Sequence, residues 1–116
     1  MQYLLLIYSN EAEAAKADQA ALGKLMGEYR DFTQGIVQAG QFKAADRLKP
    51  SSTATTVRVR NGKAVTTDGP FAETREQLGG YYLIDVKNLD EATAIAARIP
   101  TARDGSIEVR PVWQMS

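Results

Sequence analysis

The fold is decided by the segment YLLLIYSNEAEA at residues 3–14, whose outline is repeated as YYLIDVKNLDEA at residues 81–92. In both copies an apolar run is followed, at the same spacing, by Asn-x-x-Glu, a variant of the capping box that opens helices. The runs are apolar at odd and even positions alike, which is typical of strands buried on both faces. A match this short also arises by chance, but it is what a strand-then-helix unit occurring twice would produce.

The spacing of apolar residues predicts two amphipathic helices. The longer helix runs from about Gln19 to Ala39, and Asp18 is placed to cap its start. Its apolar stripe consists of Leu22, Leu25, Met26, Tyr29, Phe32, Ile36 and Val37. The shorter helix follows Asn88, and Pro100 ends it.

The middle of the chain is predicted to contain a loop and a hairpin. Residues 41–53 are predicted to be mostly loop, whereas alternation over Ala54–Arg60, the Asn61-Gly62 turn and a return over Lys63–Thr67 predict a hairpin. A last strand, Ser106–Trp113, contains a proline and therefore belongs at a sheet edge or ends there. The predicted fold class is α+β, ferredoxin-like β-α-β-β-α-β with an extra hairpin strand, its antiparallel sheet carrying two helices on one face.

The second face of this sheet has no element left to cover it. Two helices cover one face of four or five strands, yet the first strand and the Tyr81 strand are apolar on both faces. A homodimer that packs sheet against sheet is the economical solution. The opposing observation is that Arg58, Arg60, Glu108 and Arg110 would place charge on an uncovered face. Those charges either line a polar cavity between the sheets or lie on solvated edges.

Composition excludes several classes of function. The chain has 116 residues, which predicts a single domain over residues 1–116, and its 14 basic and 14 acidic residues balance. Net neutrality gives no support to direct nucleic-acid binding or to membrane binding. Without cysteine or histidine there is no thiolate or imidazole catalysis and no ordinary zinc site, so we expect no metal and no cofactor. A cysteine-free chain without a signal segment favours the cytoplasm.

The segment TDGPFAE at residues 67–73 is predicted to be an irregular loop between two strands, where functional residues concentrate. Asp68 is the first candidate. Its carboxylate either binds or deprotonates a ligand or, the favoured interpretation, caps its own loop as an Asx-turn. Phe71 is interpreted as a plug on apolar surface, the alternative being a stacking surface for a ligand. Glu73 belongs either to a solvated charge cluster or to a ligand cleft.

Other candidates lie outside this loop. Tyr29 belongs to the apolar helical stripe, so core packing is the default and a role as acid or hydrogen-bond donor is the alternative. Arg47, Arg58 and Arg110 either receive an anionic group through their guanidinium forks or are ordinary surface residues. The Gly79-Gly80 pair follows no phosphate-binding pattern and is predicted to allow a bulge or a tight strand entry.

Residues 3–8, 55–58, 67–74, 76–82 and 106–111 carry a resemblance that runs from end to end of the chain, most specifically over residues 68–82. In these segments the chain resembles the YCII-related proteins, in the branch named for its Asp-Gly-Pro-Phe motif. The resemblance implies a ferredoxin-like subunit and a dimeric α+β barrel, in a family whose activity is largely uncharacterised.

The same resemblance carries two functional implications. The wider family is suspected to be enzymatic because of a His–Asp pair in its cleft, and it is similar in fold to muconolactone isomerases. This histidine-free chain cannot supply that pair, although Tyr29 lies near the position of the family's cleft histidine. Proteins of this branch also occur fused to, or associated with, sigma-factor-like proteins, which implies an accessory role linked to transcription.

Two hypotheses follow. The first is a homodimeric small-molecule-binding protein or enzyme, with a small organic anion in a cleft near the Asp68–Phe71 loop. Proton transfer on an organic acid or lactone would suit a carboxylate, a tyrosine and arginines, by analogy of fold. The second is a protein-interaction module linked to sigma-factor-dependent transcription initiation. It predicts an exposed loop surface and no enclosed cavity.

Overall fold

The computed structural model describes residues 1–114. In chain order, its strands and helices are β1 (Gln2–Ser9), α1 (Glu11–Ala14), α2 (Gln19–Gln38), β2 (Phe42–Arg47), β3 (Thr55–Arg60), β4 (Lys63–Asp68), β5 (Gln77–Asp85), α3 (Leu89–Arg98) and β6 (Ser106–Pro111). Short 3-10 turns precede β3 and follow α3. Within residues 1–114, none of the helices is long and apolar enough to cross a membrane.

Four strands form one antiparallel sheet in the order β2-β5-β1-β6. The two strands with two-sided apolar sequences, β1 and β5, are its centre, and the proline-containing β6 lies at an edge as predicted. The α+β class is confirmed, and this strand order with its two longer helices is consistent with the ferredoxin-like plan.

A bulge interrupts the pairing of the two central strands. Ile7 pairs with Gly80 and Tyr8 with Leu78, which leaves Gly79 without a partner. The predicted bulge at the Gly-Gly pair is therefore confirmed, and β5 begins three residues earlier than predicted.

Side-chain caps set the starts of the helices. The Asp18 carboxylate accepts a hydrogen bond from Ala21 N at 2.8 Å, and the Asn88 amide oxygen accepts one from Glu91 N at 3.0 Å. Asn10 caps the short α1 in the same way. Both copies of the Asn-x-x-Glu segment thus open a helix, because each Asn satisfies a backbone N–H that the first turn leaves free.

The core lies between the sheet and the helices α2 and α3. Its buried side chains are Tyr3, Leu5, Ile7, Phe32, Ile36, Tyr82, Ile84, Val86, Ala92, Ile95, Ala96 and Ile99. One side of α3 is buried through Ala92, Ile95 and Ala96, whereas of the predicted α2 stripe only Phe32 and Ile36 are buried and Leu22 and Met26 are exposed. A 20-residue helix spans about 30 Å and a six-residue edge strand about 20 Å, so the first turns of α2 extend past the end of β2.

The prediction of loop over residues 41–53 is wrong, because Phe42–Arg47 forms the edge strand β2. Its sequence, FKAADR, has no alternation and no β-branched residue, so local propensity favours no strand. Antiparallel pairing with β5, from Phe42 opposite Ile84 to Arg47 opposite Gly80, holds it extended.

The hairpin β3–β4 stands outside this sheet as a separate two-stranded ribbon, which we call the arm (residues 55–68). Asn61 and Gly62 have φ values of 54° and 76°, as a tight turn of type I′ requires. The predicted extra strand is therefore not part of the main sheet, since β1 and β2 already occupy both sides of β5. With the arm extended, the chain measures 48 × 46 × 19 Å.

The sheet face opposite the helices is uncovered within residues 1–114, and we call it the open face. Its central side chains alternate with the buried ones and are half-buried: Leu4, Leu6, Tyr8, Tyr81 and Leu83. The edges carry Asp46 on β2 and Glu108 and Arg110 on β6. Because Arg58 and Arg60 belong to the arm, they place no charge on this face. The centre of the open face is therefore apolar and its edges are charged.

Candidate functional site

The structure distributes the predicted site residues over four places. The arm and the loop behind it carry Arg58, Asp68, Phe71 and Glu73. Tyr29 lies where α2 contacts the turn after α3, Arg47 lies at the end of β2 beside α2, and Arg110 lies at the β6 edge of the open face. A single chain therefore brings together subsets of these residues and not the whole set.

Backbone contacts fix the start of the loop behind the arm. Gly69 N donates to Ala54 O at 2.7 Å, and Thr56 Oγ1 donates to Gly69 O at 2.8 Å. The φ of Gly69 is 94°, a conformation that favours glycine at this position of the motif. Arg58 Nη2 donates to Phe71 O at 3.4 Å, so this predicted ligand-binding arginine contacts the loop itself.

Two of the loop side chains, Asp68 and Phe71, differ from their predicted roles. Within residues 1–114 the Asp68 carboxylate accepts no hydrogen bond, so the expected Asx-turn is absent and Gly69 N pairs with the backbone across the arm base. Phe71 is 75% exposed, which corrects its interpretation as a plug. The loop follows the arm and lies outside the core, so the described residues 1–114 leave most of the ring exposed. Glu73 is also exposed.

The end of the same loop is tied back to the sheet. The Gln77 side-chain oxygen accepts a hydrogen bond from Glu11 N at 2.9 Å. The Glu76 carboxylate accepts one from Ser106 Oγ at 2.7 Å. Because Ser106 pairs with Tyr8, this contact places the end of the loop beside one end of the open face.

Tyr29 and Arg47 both contribute to the surroundings of α2, but they make different contacts. The Tyr29 hydroxyl shares a hydrogen bond of 2.5 Å with Thr101 Oγ1. Burial raises the pKa of Tyr29, and the hydrogen bond with Thr101 and the charge of Arg47 oppose part of that rise. Arg47 Nη1 lies 3.8 Å from Met26 Sδ. A half-buried phenol with a partner inside the protein agrees with the core-packing interpretation of Tyr29.

One edge of the open face carries an ion pair between Arg110 Nη2 and a Glu108 carboxylate oxygen at 2.9 Å. The hydrogen bond to Glu108 raises the pKa of Arg110, and the nearby Tyr8 hydroxyl raises it further. The guanidinium is exposed, so its remaining donors face solvent.

The opposite edge carries a pair that sequence reasoning missed. The Tyr81 hydroxyl donates to Asp46 Oδ2 at 2.6 Å, and this hydrogen bond to a carboxylate raises the pKa of Tyr81. Alternation along β5 could have placed Tyr81 on the uncovered face. Its pairing with Asp46 follows from the β2–β5 register, which was hidden while residues 41–53 were interpreted as loop.

Together the two edges frame an apolar strip with hydrogen-bonding groups. Strand register aligns Asp46, Tyr81, Leu6 and Glu108 in one row across the sheet. Since neighbouring strands lie about 4.8 Å apart, this row spans about 15 Å, the length of a small organic molecule. Such a surface offers a phenol oxygen as an acceptor near the β2 edge, a guanidinium as a donor at the β6 edge and apolar contact between them.

The concave surfaces lie on the helix side. A cavity of about 300 Å³ between α2 and α3 is lined by Phe32, Arg98 and the Glu28–Arg103 ion pair, whose hydrogen bonds lower the pKa of Glu28. Another, of about 430 Å³, lies between α3 and β6 and is mostly apolar. No predicted site residue lines either cavity. Within residues 1–114 no group of three or more carboxylates is placed to hold a metal ion.

Comparison with known proteins gives two matches. A family model described as the YCII-related domain matches residues 1–116. An uncharacterized protein of Rhizobium meliloti (strain 1021) is 38% identical over 114 residues, which cover 97% of this chain and 92% of that protein.

Proposed function

This chain belongs to the YCII-related family, and on that premise we propose that it is a homodimeric small-molecule-binding protein whose subunits pack open face to open face. The ligand, a small organic anion, lies in a cleft between the two sheets near the Asp68–Phe71 loop. The proposal places the dimer in the cytoplasm.

The observation that carries this proposal is the uncovered apolar strip on the open face. Leu4, Leu6 and Leu83 are only half-buried although they lie on the two central strands. Full burial of a leucine side chain is worth about 1.5–3 kcal/mol relative to exposure, so covering six such side chains in a symmetric pair favours association. A two-fold axis lets one surface cover its own copy, and no further element is needed.

The charged edges support the ligand class. Arg110 offers guanidinium donors to a carboxylate, in competition with Glu108, and the Tyr81 oxygen, whose proton is donated to Asp46, can accept a hydrogen bond from a hydroxyl of the ligand. Packing of the sheets would leave these groups around the rim of a cleft with low access to water, where each polar contact is stronger. The contact between Glu76 and Ser106 holds the end of the loop beside the open face, which supports the proposal that the Asp68–Phe71 segment borders that end of the cleft. If the dimer is an enzyme, Tyr81 and Asp46 are placed to move a proton.

The dimer is tested by Leu6→Glu, which puts a carboxylate in the centre of the open face. The matched control is Leu22→Glu, since Leu22 is an exposed leucine on α2. Sedimentation equilibrium should show the dimer dissociation constant of Leu6→Glu raised at least about 100-fold, because burying an unpaired charge costs several kcal/mol. The control should stay within about threefold of wild type. A Leu6→Glu protein that associates like wild type would contradict the proposal.

The ligand site is tested by native mass spectrometry of the purified protein, followed by titration with any retained molecule or with a set of small carboxylates. Asp68→Asn should leave fold and dimer intact and abolish binding, and Arg110→Gln should weaken it at least about tenfold. Arg30→Gln, on an exposed part of α2, is the control and should bind normally. Normal binding by both site variants would contradict the assignment.

A second candidate function is an accessory module that recognises a sigma-factor-type protein. The observation that favours it is the exposed Phe71 on a loop whose backbone is fixed by hydrogen bonds. It predicts that immobilised protein retains a sigma factor identified by mass spectrometry, and that Phe71→Ala releases it. Failure to recover any such factor counts against this candidate and leaves the dimer proposal untouched.

A further inference from the structure

The arm exposes an apolar surface that packing of the open faces does not by itself cover. Strand register places Val57, Val59 and Ala64 on one side of the arm, which we call the apolar arm face. The other side carries Arg58, Arg60 and Lys63 together with Val65. Val57 and Val59 are 59% and 62% exposed, and Phe71 follows on the loop behind them.

The accessible surface of the chain exceeds that of a compact monomer of the same mass, and the excess indicates how much area a partner could cover. The accessible area is 8422 Å², whereas a compact monomer of this mass exposes about 6,200 Å². The excess of about 2,200 Å² is well above the roughly 800 Å² per partner that a standard stable interface buries. The radius of gyration is 16.2 Å, against about 13.4 Å for a compact chain of 116 residues.

The open face is too small to account for this excess. Four strands of about six residues have a projected area of roughly 400 Å². The accessible area of the uneven side-chain surface is larger, but even twice the projected area is less than half of the excess. The arm and its loop are the elements that extend from the body of the chain, so they supply much of the remainder. An interface that removes the excess therefore has to include them.

A second copy of the chain is the partner that the excess area and the charge balance favour. Residues 55–68 contain Arg58, Arg60 and Lys63 against the single carboxylate of Asp68, a net charge of +2. Because the whole chain is neutral, the rest of it carries −2, so an arm and the body of a second copy attract each other at long range. The basic side chains lie on the other side of the arm from Val57 and Val59, so docking of the apolar arm face leaves them in water and buries no unpaired charge.

We infer that the apolar arm face, together with Phe71, is a docking surface for a second copy of this chain. The inference rests on the dimer proposed above and extends it. The open faces form the centre of the interface, and the two arms extend across its edge. Each arm buries its own Val57 and Val59 against the other subunit. The arm of one subunit then forms part of the boundary of the cleft that the two subunits share.

The absence of cysteine from the sequence makes a direct test possible. Val59→Cys places one thiol on the apolar arm face, and Val65→Cys places the matched control on the opposite side of the same hairpin. Each variant is allowed to react with 5,5′-dithiobis(2-nitrobenzoate) over a range of protein concentrations, while sedimentation gives the mass at each concentration. As the dimer forms, we expect modification of Val59→Cys to slow at least about tenfold, the factor expected when a partner blocks access for nine-tenths of the time. Val65→Cys should change less than about twofold.

The outcomes separate this inference from the dimer proposal. If dimers form while both cysteines react equally, the arm inference is overturned and the packing of open faces stands. Protection of both cysteines to the same extent overturns the assignment of the apolar face. Protection of Val59→Cys that does not depend on concentration means that the arm folds onto its own chain, which also overturns it. A monomer with a reactive Val59→Cys overturns both proposals.

Discussion

The core and the arm use similar aliphatic side chains in opposite surroundings. Leu5, Ile36 and Ile84 are completely buried between sheet and helices, whereas Val57 and Val59 on the arm are mostly exposed. Both regions have paired strands and well-formed turns, so the difference lies in packing and not in local structure. It teaches that one chain alone stabilises the core, whereas the apolar side of the arm stays exposed in the described residues and would be buried only by the proposed pairing with a second copy.

The largest expected effect comes from opening a cavity in the core. Ile84→Ala should lower the free energy of unfolding by about 2–5 kcal/mol, since a fully buried side chain is truncated. Urea denaturation should give this loss at every protein concentration. Val57→Ala is the arm counterpart and should cost less than about 0.5 kcal/mol in dilute solution. Equal losses for the two variants under dilute conditions would break the comparison.

A smaller effect is expected where two strands of the sheet approach closely. A Cβ added to Gly80 would lie 2.8 Å from Asp46 O and 3.5 Å from Arg47 Cα, both backbone atoms of β2. Gly80→Ala should therefore destabilise the chain by about 1–3 kcal/mol in the same denaturation experiment. Gly23→Ala is the control, because nothing lies within 4 Å of that position, and it should stabilise α2 by up to about 1 kcal/mol. Destabilisation by both substitutions would show that close strand approach is not the cause.

The arm should unfold locally while the core stays folded. Gly62 has a φ of 76°, so Gly62→Ala should cost about 1 kcal/mol of local stability at the hairpin turn. Hydrogen exchange followed by mass spectrometry should show faster exchange over residues 55–68 and unchanged exchange in β1 and β5. An equal acceleration in the central strands would mean that arm and core unfold as one unit.

The smallest expected effect is on the free energy of unfolding at alkaline pH, and it tests whether the Tyr29 hydroxyl is shielded from water. Its pKa is raised in the folded chain by burial, so above the ordinary tyrosine pKa of about 10 the unfolded chain loses this proton first. Stability should then fall as pH rises from that value through the folded pKa. Tyr29→Phe removes this contribution, and its unfolding free energy should fall less steeply over that range. Identical slopes in the two proteins would show that the Tyr29 phenol is not shielded.

Much of the fold could be predicted because local signals and tertiary packing agree. The repeated strand-then-helix unit, the caps at Asn10 and Asn88, the Asn61-Gly62 turn and the bulge at Gly79 each have a local physical cause. Strand β2 could not be predicted, because FKAADR is held by its neighbour and not by its own propensity.

Less of the candidate site could be predicted from the sequence, because its contacts also depend on tertiary pairing and not on local propensity. Pairing of Tyr81 with Asp46 depends on the register of the missed strand β2. The exposed position of Phe71 depends on the arm lying outside the sheet, whereas its apolar character indicated only a need for burial. In the proposed dimer the surface that buries Phe71 belongs to the second copy, and the sequence pattern of one chain carries no direct signal for such a contact.

Sedimentation equilibrium of the wild-type protein across the micromolar range tests the central claim most directly. A chain of 12.7 kDa whose open face and arm both need a second copy should have a mass of about 25 kDa, falling only on strong dilution. A protein that stays at 12.7 kDa throughout this range, with its core folded, would contradict the account.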